Sequence, residues 1–395
     1  MKKKEFEPFP ISLIGSLPRN KQVLDAKKKY SNSEISKKKF DDNIRYETKK
    51  LVDLQEKAGV DIITSGELIR DNYISFIAEN VSGFRKMTND EIISFTDEQN
   101  RENLEASLIK RNTHTANLSN PICNGKIDTN ATFEVESMKM LKDLTKLPIK
   151  ATIPSPYLLT RTTWLTGITD KFYESREKLG QDIVELIYNE IDRLIDLGVD
   201  VIQLDDPILA EVVLADDEEE SFFCGRLSER IRYDHELVFA MSLIKPILDK
   251  LTASQSYGCL HVCRGNFTKN EESLLNGSYA SLSDFFAIVQ PDALTLEFST
   301  PRAGDIKDLF INEFLSSQTI LGLGVVNPRS EAVETSDFVI GKVEQAMKYL
   351  RPENIWLNPD CGFATFEQRP MNSERIIFDK IKTMKEAQKI LRSRL

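Results

Sequence analysis

The stretch Gly198-Val199-Asp200-Val201-Ile202-Gln203-Leu204-Asp205-Asp206-Pro207 decides the fold, because a glycine, a short Val/Ile run and a polar stop follow one another without a spacer. Upstream of it, Ile183, Ile187, Ile191, Leu194 and Ile195 recur at helical spacing, and Gly198 falls where a helix C-terminal cap belongs. A second copy, Gly59-Val60-Asp61-Ile62-Ile63 leading into Thr64-Ser65-Gly66-Glu67, is nearly superimposable. A helix closed by glycine and followed at once by a buried strand is the αβ joint of a parallel sheet.

Short apolar runs of the same kind recur at 11–14, 60–63, 149–153, 199–204, 256–261, 293–296, 319–323 and 355–357. They are too short and too continuously apolar for exposed antiparallel ribbons. Helical candidates lie between them, including 228–251, 335–350 and 373–391. Eight strands alternating with helices predict an α/β fold, a single (β/α)8 TIM barrel spanning 1–395. The gap between the second and third strands is too long for one helix and a turn. Its residues, about 72–133, are charged and Asn/Thr-rich, and we read them as a rim insertion after strand two rather than a second domain. The acidic run Asp216-Asp217-Glu218-Glu219-Glu220 reads as a solvated loop without chemistry.

Composition narrows the function. With 41% hydrophobic and 29% charged residues in 395, the chain can bury a substantial core. A formal charge of -10 argues against a nucleic-acid partner, which would call for clustered Lys and Arg. No apolar stretch approaches the roughly 20 residues that cross a bilayer, and Lys2-Lys3-Lys4 lead into Glu5-Phe6-Glu7-Pro8 rather than a signal-peptide core, so a cytoplasmic protein is expected. Five cysteines (Cys123, Cys224, Cys259, Cys263 and Cys361) suit reduced thiols and metal ligation better than disulfides.

In a barrel, functional groups gather at the C-terminal ends of the strands. Here those ends carry Ser16, Glu67, Ser155, Asp205 and Asp206, His261 and Cys263, Glu297, Asn327, and Cys361. Asp206-Pro207 and Asn327-Pro328 are also ordinary turn dipeptides. Side chains two apart on a strand share a face, so His261 and Cys263 can converge while Val262 points away. That pair alone is equally a buried thiol beside a core histidine. Joined by Glu297 and Cys361 from neighbouring strands, it becomes one His, two Cys and one Glu, which are zinc ligands in type and number. Thiolates favour zinc over magnesium or calcium. A carboxylate among the ligands, and no CxxC knuckle, fit a catalytic site better than a structural one.

Leu13-Ile14-Gly15-Ser16-Leu17-Pro18-Arg19, Ser65-Gly66-Glu67, Ile202-Gln203-Leu204-Asp205-Asp206-Pro207, His261-Val262-Cys263, Leu296-Glu297-Phe298-Ser299 and Asn358-Pro359-Asp360-Cys361-Gly362 occur in that order. They resemble the motifs of the cobalamin-independent methionine synthase catalytic barrel, a fold of the uroporphyrinogen decarboxylase and methionine synthase type. The chain is too short for the additional N-terminal barrel of the long enzymes, and so resembles the single-barrel, "core" branch. The resemblance implies Zn2+ held by His261, Cys263, Glu297 and Cys361, and a homocysteine amino-acid moiety held by Ser16, Glu67 and Asp205. It implies a zinc-dependent thiol S-methyltransferase of methionine biosynthesis. Two carboxylates facing one pocket, Glu67 and Asp205, would repel unless a cation such as an α-ammonium lies between them. The Gly15-Ser16 turn offers a backbone N–H and a hydroxyl to a carboxylate.

Two departures leave the methyl donor open between methyltetrahydrofolate and a methylated corrinoid or other carrier, including a methyl-carrier protein. Where the folate-using enzymes place a tryptophan, Thr162 stands, and Trp164 comes two residues late. The turn Gly324-Val325-Val326-Asn327-Pro328-Arg329 holds no histidine, the chain's three being His114, His235 and His261. Alternatives are an alkyltransferase acting on another thiol of the coenzyme M type, a barrel without catalysis that binds a partner, and a metal-free decarboxylase. A sulfonate-ended thiol would call for cations where Glu67 and Asp205 stand. Arg264 and Arg302 are candidates for orienting the ligands or for fixing loops, and Cys259, deeper on the strand of His261, reads as core.

Overall fold

Both joints form as their residues dictate. The helix Lys37–Ala58 starts on Ser36, whose hydroxyl accepts from Lys39 N–H, and stops at Gly59 with φ +91°. The helix Arg176–Leu197 starts on Ser175, which accepts from Lys178 N–H, and stops at Gly198 with φ +80°. A Cβ is penalised in that left-handed region, so glycine lets the chain leave the helix and enter the sheet. The computed structural model describes residues 3–95, 119–215 and 232–395. The acidic run 216–220, Cys224, His114 and the middle of the expected rim insertion lie outside the described residues.

The described strands are β1 (Ile63–Thr64), β2 (Phe84–Thr88), β3 (Ser119–Cys123), β4 (Ile149–Pro154), β5 (Val201–Asp205), β6 (Tyr257–Val262), β7 (Ala293–Leu296), β8 (Ile320–Val326) and β9 (Ile355–Pro359). One parallel sheet runs β1-β4-β5-β6-β7-β8-β9. Parallel bridges Ile11↔Leu357 and Ser12↔Ile62 join its two edges, so residues 11–12 act as an abbreviated first strand and close the barrel. The α/β barrel expected from the sequence is therefore present, with each strand within a few residues of its expected place. Within the rim stretch, β2 and β3 pair antiparallel from Phe84↔Cys123 to Thr88↔Ser119. The sequence reading missed this ribbon, since its alternation is weak and Pro121 interrupts β3.

Alternation sorts the strand residues into two packing spaces. Ile202, Leu204, Leu260, Val262, Leu294, Leu296, Leu321 and Leu323 join Ile183, Ile187 and Leu194 of the outer helix Arg176–Leu197 in one core. Each such aliphatic side chain contributes about 1.5–3 kcal/mol by leaving water. The lumen is different. Its floor is apolar, built from Ile62, Val201, Ala293 and Trp356 with Phe6, Tyr257 and Ile320 against them, and the Phe6 ring meets Trp356 edge-on at 5.4 Å. Above it come buried Ser12, Lys150, Gln203, Cys259, Thr295 and Asn358, and above those Asp205, His261, Glu297 and Asp360. The strands are thus less continuously apolar than the sequence reading held, because polar residues at alternate positions turn inward. No helix among the described residues is long and apolar enough to cross a membrane.

Candidate metal centre

β6 carries His261 to its C-terminal end and Cys263 just beyond, while the turn after β9 brings in Cys361. All three are buried, and one donor atom from each lies within 4.8 Å of the others. Asp360 ties the turn of Cys361 to the turn that follows β7. Its Oδ1 accepts from Phe298 N–H at 3.1 Å and Ser299 N–H at 3.0 Å, and its Oδ2 accepts from the Ser299 hydroxyl.

His261 Nδ1 lies 2.8 Å from Asp205 Oδ1, so this nitrogen carries the proton. Nε2 is buried without a partner. Leaving such an atom unpaired costs about 1–3 kcal/mol. An imidazole anchored through one N–H on a carboxylate, with the other nitrogen bare, is the arrangement of a metal ligand. Burial alone would lower the His261 pKa, but the Asp205 hydrogen bond and charge leave it raised. A hydrogen bond between the two thiols holds the Cys263 pKa down and drives that of Cys361 well up, so the pair shares a proton that a cation can replace. The donor set fits a metal.

Glu297 stands beside this cluster rather than in it. Its Oε1 accepts from Arg264 N–H at 3.0 Å, and its Oε2 from Arg302 Nη2 at 2.8 Å and Arg329 Nη2 at 3.1 Å. Burial pushes its carboxyl up, but Arg329 and Arg302 outweigh burial and hold it at about 2. Of the four expected ligands, three are brought together and the fourth has one oxygen on two guanidiniums and the other on a backbone N–H. Glu271 orients both arginines, accepting from Arg329 Nε at 2.7 Å and Arg302 Nε at 3.0 Å. Sequence reasoning named Arg302 and Arg264 but missed the role of Arg329, whose one signal was its place in the turn after a barrel strand.

The residues expected to hold a substrate line the same mouth. Glu67 sits at φ +55°, a conformation non-glycine residues adopt at a cost. Its Oε1 accepts from Thr152 Oγ1 at 2.8 Å, and Arg70 Nη1 is 3.6 Å from Oε2. The Gly15 backbone passes so near that a Cβ there would strike Glu67 Oε1. Ser16 is buried, and its carbonyl accepts from Phe363 N–H at 3.0 Å, two residues past Cys361. Asp205 Oδ1 takes two donors, Gln203 Nε2 at 2.7 Å and His261 Nδ1 at 2.8 Å. It therefore supports the histidine, a link the sequence did not disclose.

The remaining strand-end residues serve the scaffold. Ser155 caps the helix Pro156–Thr163 and donates its hydroxyl to Asp206, whose carboxyl burial pushes up to about 7. Asn327 Nδ2 donates to Glu271 at 2.9 Å. Thr162 is buried, with its hydroxyl donating to Leu158 O at 2.8 Å. Cys259 lies 3.1 Å from Thr295 Oγ1 in the lumen, its thiol pushed up to about 11 by burial.

A family model described as the catalytic domain of cobalamin-independent synthase matches residues 9–389. A methionine synthase from Saccharolobus solfataricus is 23% identical over 388 residues, 98% of this chain and 96% of its own. A 5-methyltetrahydropteroyltriglutamate–homocysteine methyltransferase from Bacillus licheniformis is 24% identical over 379 residues, 96% of this chain but 43% of its own. The chain thus spans less than half the length of that relative and of others bearing the same name. Among solved structures, a B12-independent methionine synthase from Shewanella sp. W3-18-1 shares the fold, with a TM-score of 0.72 at 17% identity, covering 98% of this chain and 99% of that one.

Proposed function

The chain belongs to the cobalamin-independent synthase family through its catalytic domain, and from that premise we propose that it is a zinc-dependent thiol S-methyltransferase making methionine from homocysteine. The observation that carries this reading is the convergence of His261, Cys263 and Cys361 within 4.8 Å, with His261 Nε2 bare. One imidazole and two thiolates select zinc over hard cations. Glu297 would be the fourth ligand in this reading, a weak one because Arg302 and Arg329 compete for it. A zinc ion held there supplies a thiol ionised at neutral pH.

Ionisation is a small part of the rate. For a thiol with a pKa of ~8.5, complete ionisation at neutral pH lowers the barrier by about 2 kcal/mol. Positioning of reacting atoms can contribute ~7–11 kcal/mol. The residues that hold the acceptor therefore weigh as much as the ligands. Glu67, braced by Thr152 and by its own backbone turn, takes the α-ammonium; Ser16 and the Gly15-Ser16 turn take the carboxylate. Asp205 flanks the ammonium and holds His261. We take 1–395 as one catalytic barrel with 72–133 as its rim insertion. The free thiols Cys123, Cys259, Cys263 and Cys361 suit a reducing cytoplasm.

Relatives named for 5-methyltetrahydropteroyltriglutamate favour a reduced folate as donor. A methylated corrinoid, free or on a carrier protein, is the second reading, because Thr162 offers no aromatic face and its hydroxyl is closed on Leu158 O. The test is methionine formation by zinc-loaded protein from homocysteine, with methyltetrahydrofolate and methylcobalamin compared and coenzyme M as a rival acceptor. Methionine from either donor supports the reading and names the donor. Zinc-replete protein that makes no methionine, or that prefers coenzyme M, overturns it.

A further inference from the structure

A buried lysine lies under the metal centre. Lys150, on the inner face of β4, is 2% exposed, and its ammonium donates to Gln203 Oε1 at 3.0 Å. Gln203 Nε2 donates to Asp205 Oδ1 at 2.7 Å and to Ile14 O at 3.2 Å. Asp205 Oδ1 accepts from His261 Nδ1 at 2.8 Å, which leaves Nε2 as the nitrogen free for the cluster. These contacts form a continuous line from Lys150 to His261.

The order of donors and acceptors along that line is forced from its far end. A carboxamide can turn either its oxygen or its nitrogen toward a neighbour, whereas a lysine ammonium has three donors and no acceptor. Lys150 therefore admits only the oxygen of Gln203. Nε2 must then face Asp205 and Ile14 O, which are both acceptors. With the amide reversed, its oxygen would confront the Asp205 carboxylate and Asp205 would lose a donor. Burial pulls the Lys150 pKa down to about 8, with Asp205 and Glu67 among the groups that oppose the fall, so the amine is largely protonated at neutral pH. The lysine is thus placed where it acts on the mouth above it.

We propose that Lys150 and Gln203 are positioning residues of the metal centre: the lysine locks the amide in one orientation, and the amide holds Asp205 on His261 so that Nε2 is presented unprotonated to the cation. This rests on the metal-centre reading above, and it assigns part of the lumen to function rather than filling.

The test begins with metal-free protein labelled with 15N-histidine. Long-range 1H–15N correlation spectra report the tautomer of each of the three histidines, and a His261→Gln variant assigns the signal. In spectra recorded at a pH where His261 is neutral, the Nδ1–H form is expected in the unaltered protein. Lys150→Met and Gln203→Leu are each expected to give a mixed or Nε2–H population. Zinc affinity, measured by chelator competition, falls about tenfold or more in either variant. In the Gln203→Leu background, Lys150→Met adds no further loss, because it acts through the amide. An Nε2–H form in the unaltered metal-free protein overturns the proposal. So do losses that multiply in the double variant, and so does a Lys150→Met protein that melts lower with tautomer and zinc affinity unchanged. If neither variant folds, the unaltered protein's spectrum decides. Failure of the unaltered protein to bind zinc sinks the metal-centre reading, while the tautomer still tests the relay.

Discussion

Arg329→Met removes the guanidinium that links Glu297, Asp360 and Glu271, and its cost is expected to depend on pH. Arg329 is buried, 3.1 Å from Glu297 Oε2, 3.6 Å from Asp360 Oδ2 and 2.7 Å from Glu271 Oε1. Glu297 is held at about 2, where a glutamate ordinarily titrates near 4.5. At 1.36 kcal/mol per pH unit, that difference is worth on the order of 3 kcal/mol of stability. The folded-state pKa is depressed, so this stability is fully present above about pH 4.5 and is lost as pH falls towards 2. In the variant, burial without Arg329 pushes Glu297 upward, so the variant takes up a proton at higher pH than the native protein. The expected cost is about 3–5 kcal/mol at pH 7, typical of a buried ion pair that loses one partner, and it shrinks as the pH is lowered. Urea denaturation of metal-free protein at pH 7, 5 and 3.5 measures it. A cost below 1 kcal/mol at pH 7, or one that stays constant across the three pH values, refutes the view that Arg329 balances the Glu297 charge.

Three further substitutions separate ligand, substrate and scaffold roles. Cys361→Ser should abolish stoichiometric zinc in metal analysis, and a variant that keeps one tightly bound zinc per chain would remove Cys361 from the ligand set. Glu67→Gln should leave zinc content intact and lower kcat/KM for homocysteine by about 10- to 150-fold, the worth of a hydrogen bond to a charged group at 1.5–3 kcal/mol; unchanged kinetics would exclude Glu67 from the acceptor site. Gly15→Ala puts a methyl group against Glu67 Oε1, with Thr152 Cγ2 at 3.0 Å, and should raise KM for the acceptor with zinc retained, at about 1–3 kcal/mol of stability. A normal KM in that variant would show that the close approach of Gly15 does not position Glu67.

The barrel was legible because its outward-facing side chains are constrained by packing. Ile202 and Leu204, or Leu294 and Leu296, must be apolar to sit under helices, and Gly59 and Gly198 mark where those helices end. The inward-facing side chains obey another rule. Lys150 meets Gln203, Thr152 meets Glu67, Thr295 meets Cys259 and Asn358 meets the Ser12 carbonyl, and a residue's partner on another strand leaves no trace in local sequence. The same limit explains the site. His261, Cys263, Glu297 and Cys361 could be picked out by donor type and strand-end position, but the grip of Arg329 on Glu297 spans thirty-two residues, and Asp205 reaches His261 from a different strand. That Asp205 also holds His261 was not legible, because a carboxylate at a barrel mouth says nothing about which way it turns.

The registration of β6 has a practical consequence. Because side chains alternate, a slip of one residue would turn His261 and Cys263 toward the outer helices and bring Leu260 and Val262 into the lumen. Cys361 lies just past β9, which pairs with β8 and is bridged by residue 11, so it meets them across the sheet rather than along one strand. Tight metal uptake by all three donors is thus expected of a chain whose strands are assembled and correctly phased. Since such binding energy adds to folding energy, a zinc-sensitive dye could follow refolding in real time, reporting correctly phased assembly rather than the mere return of helix and strand.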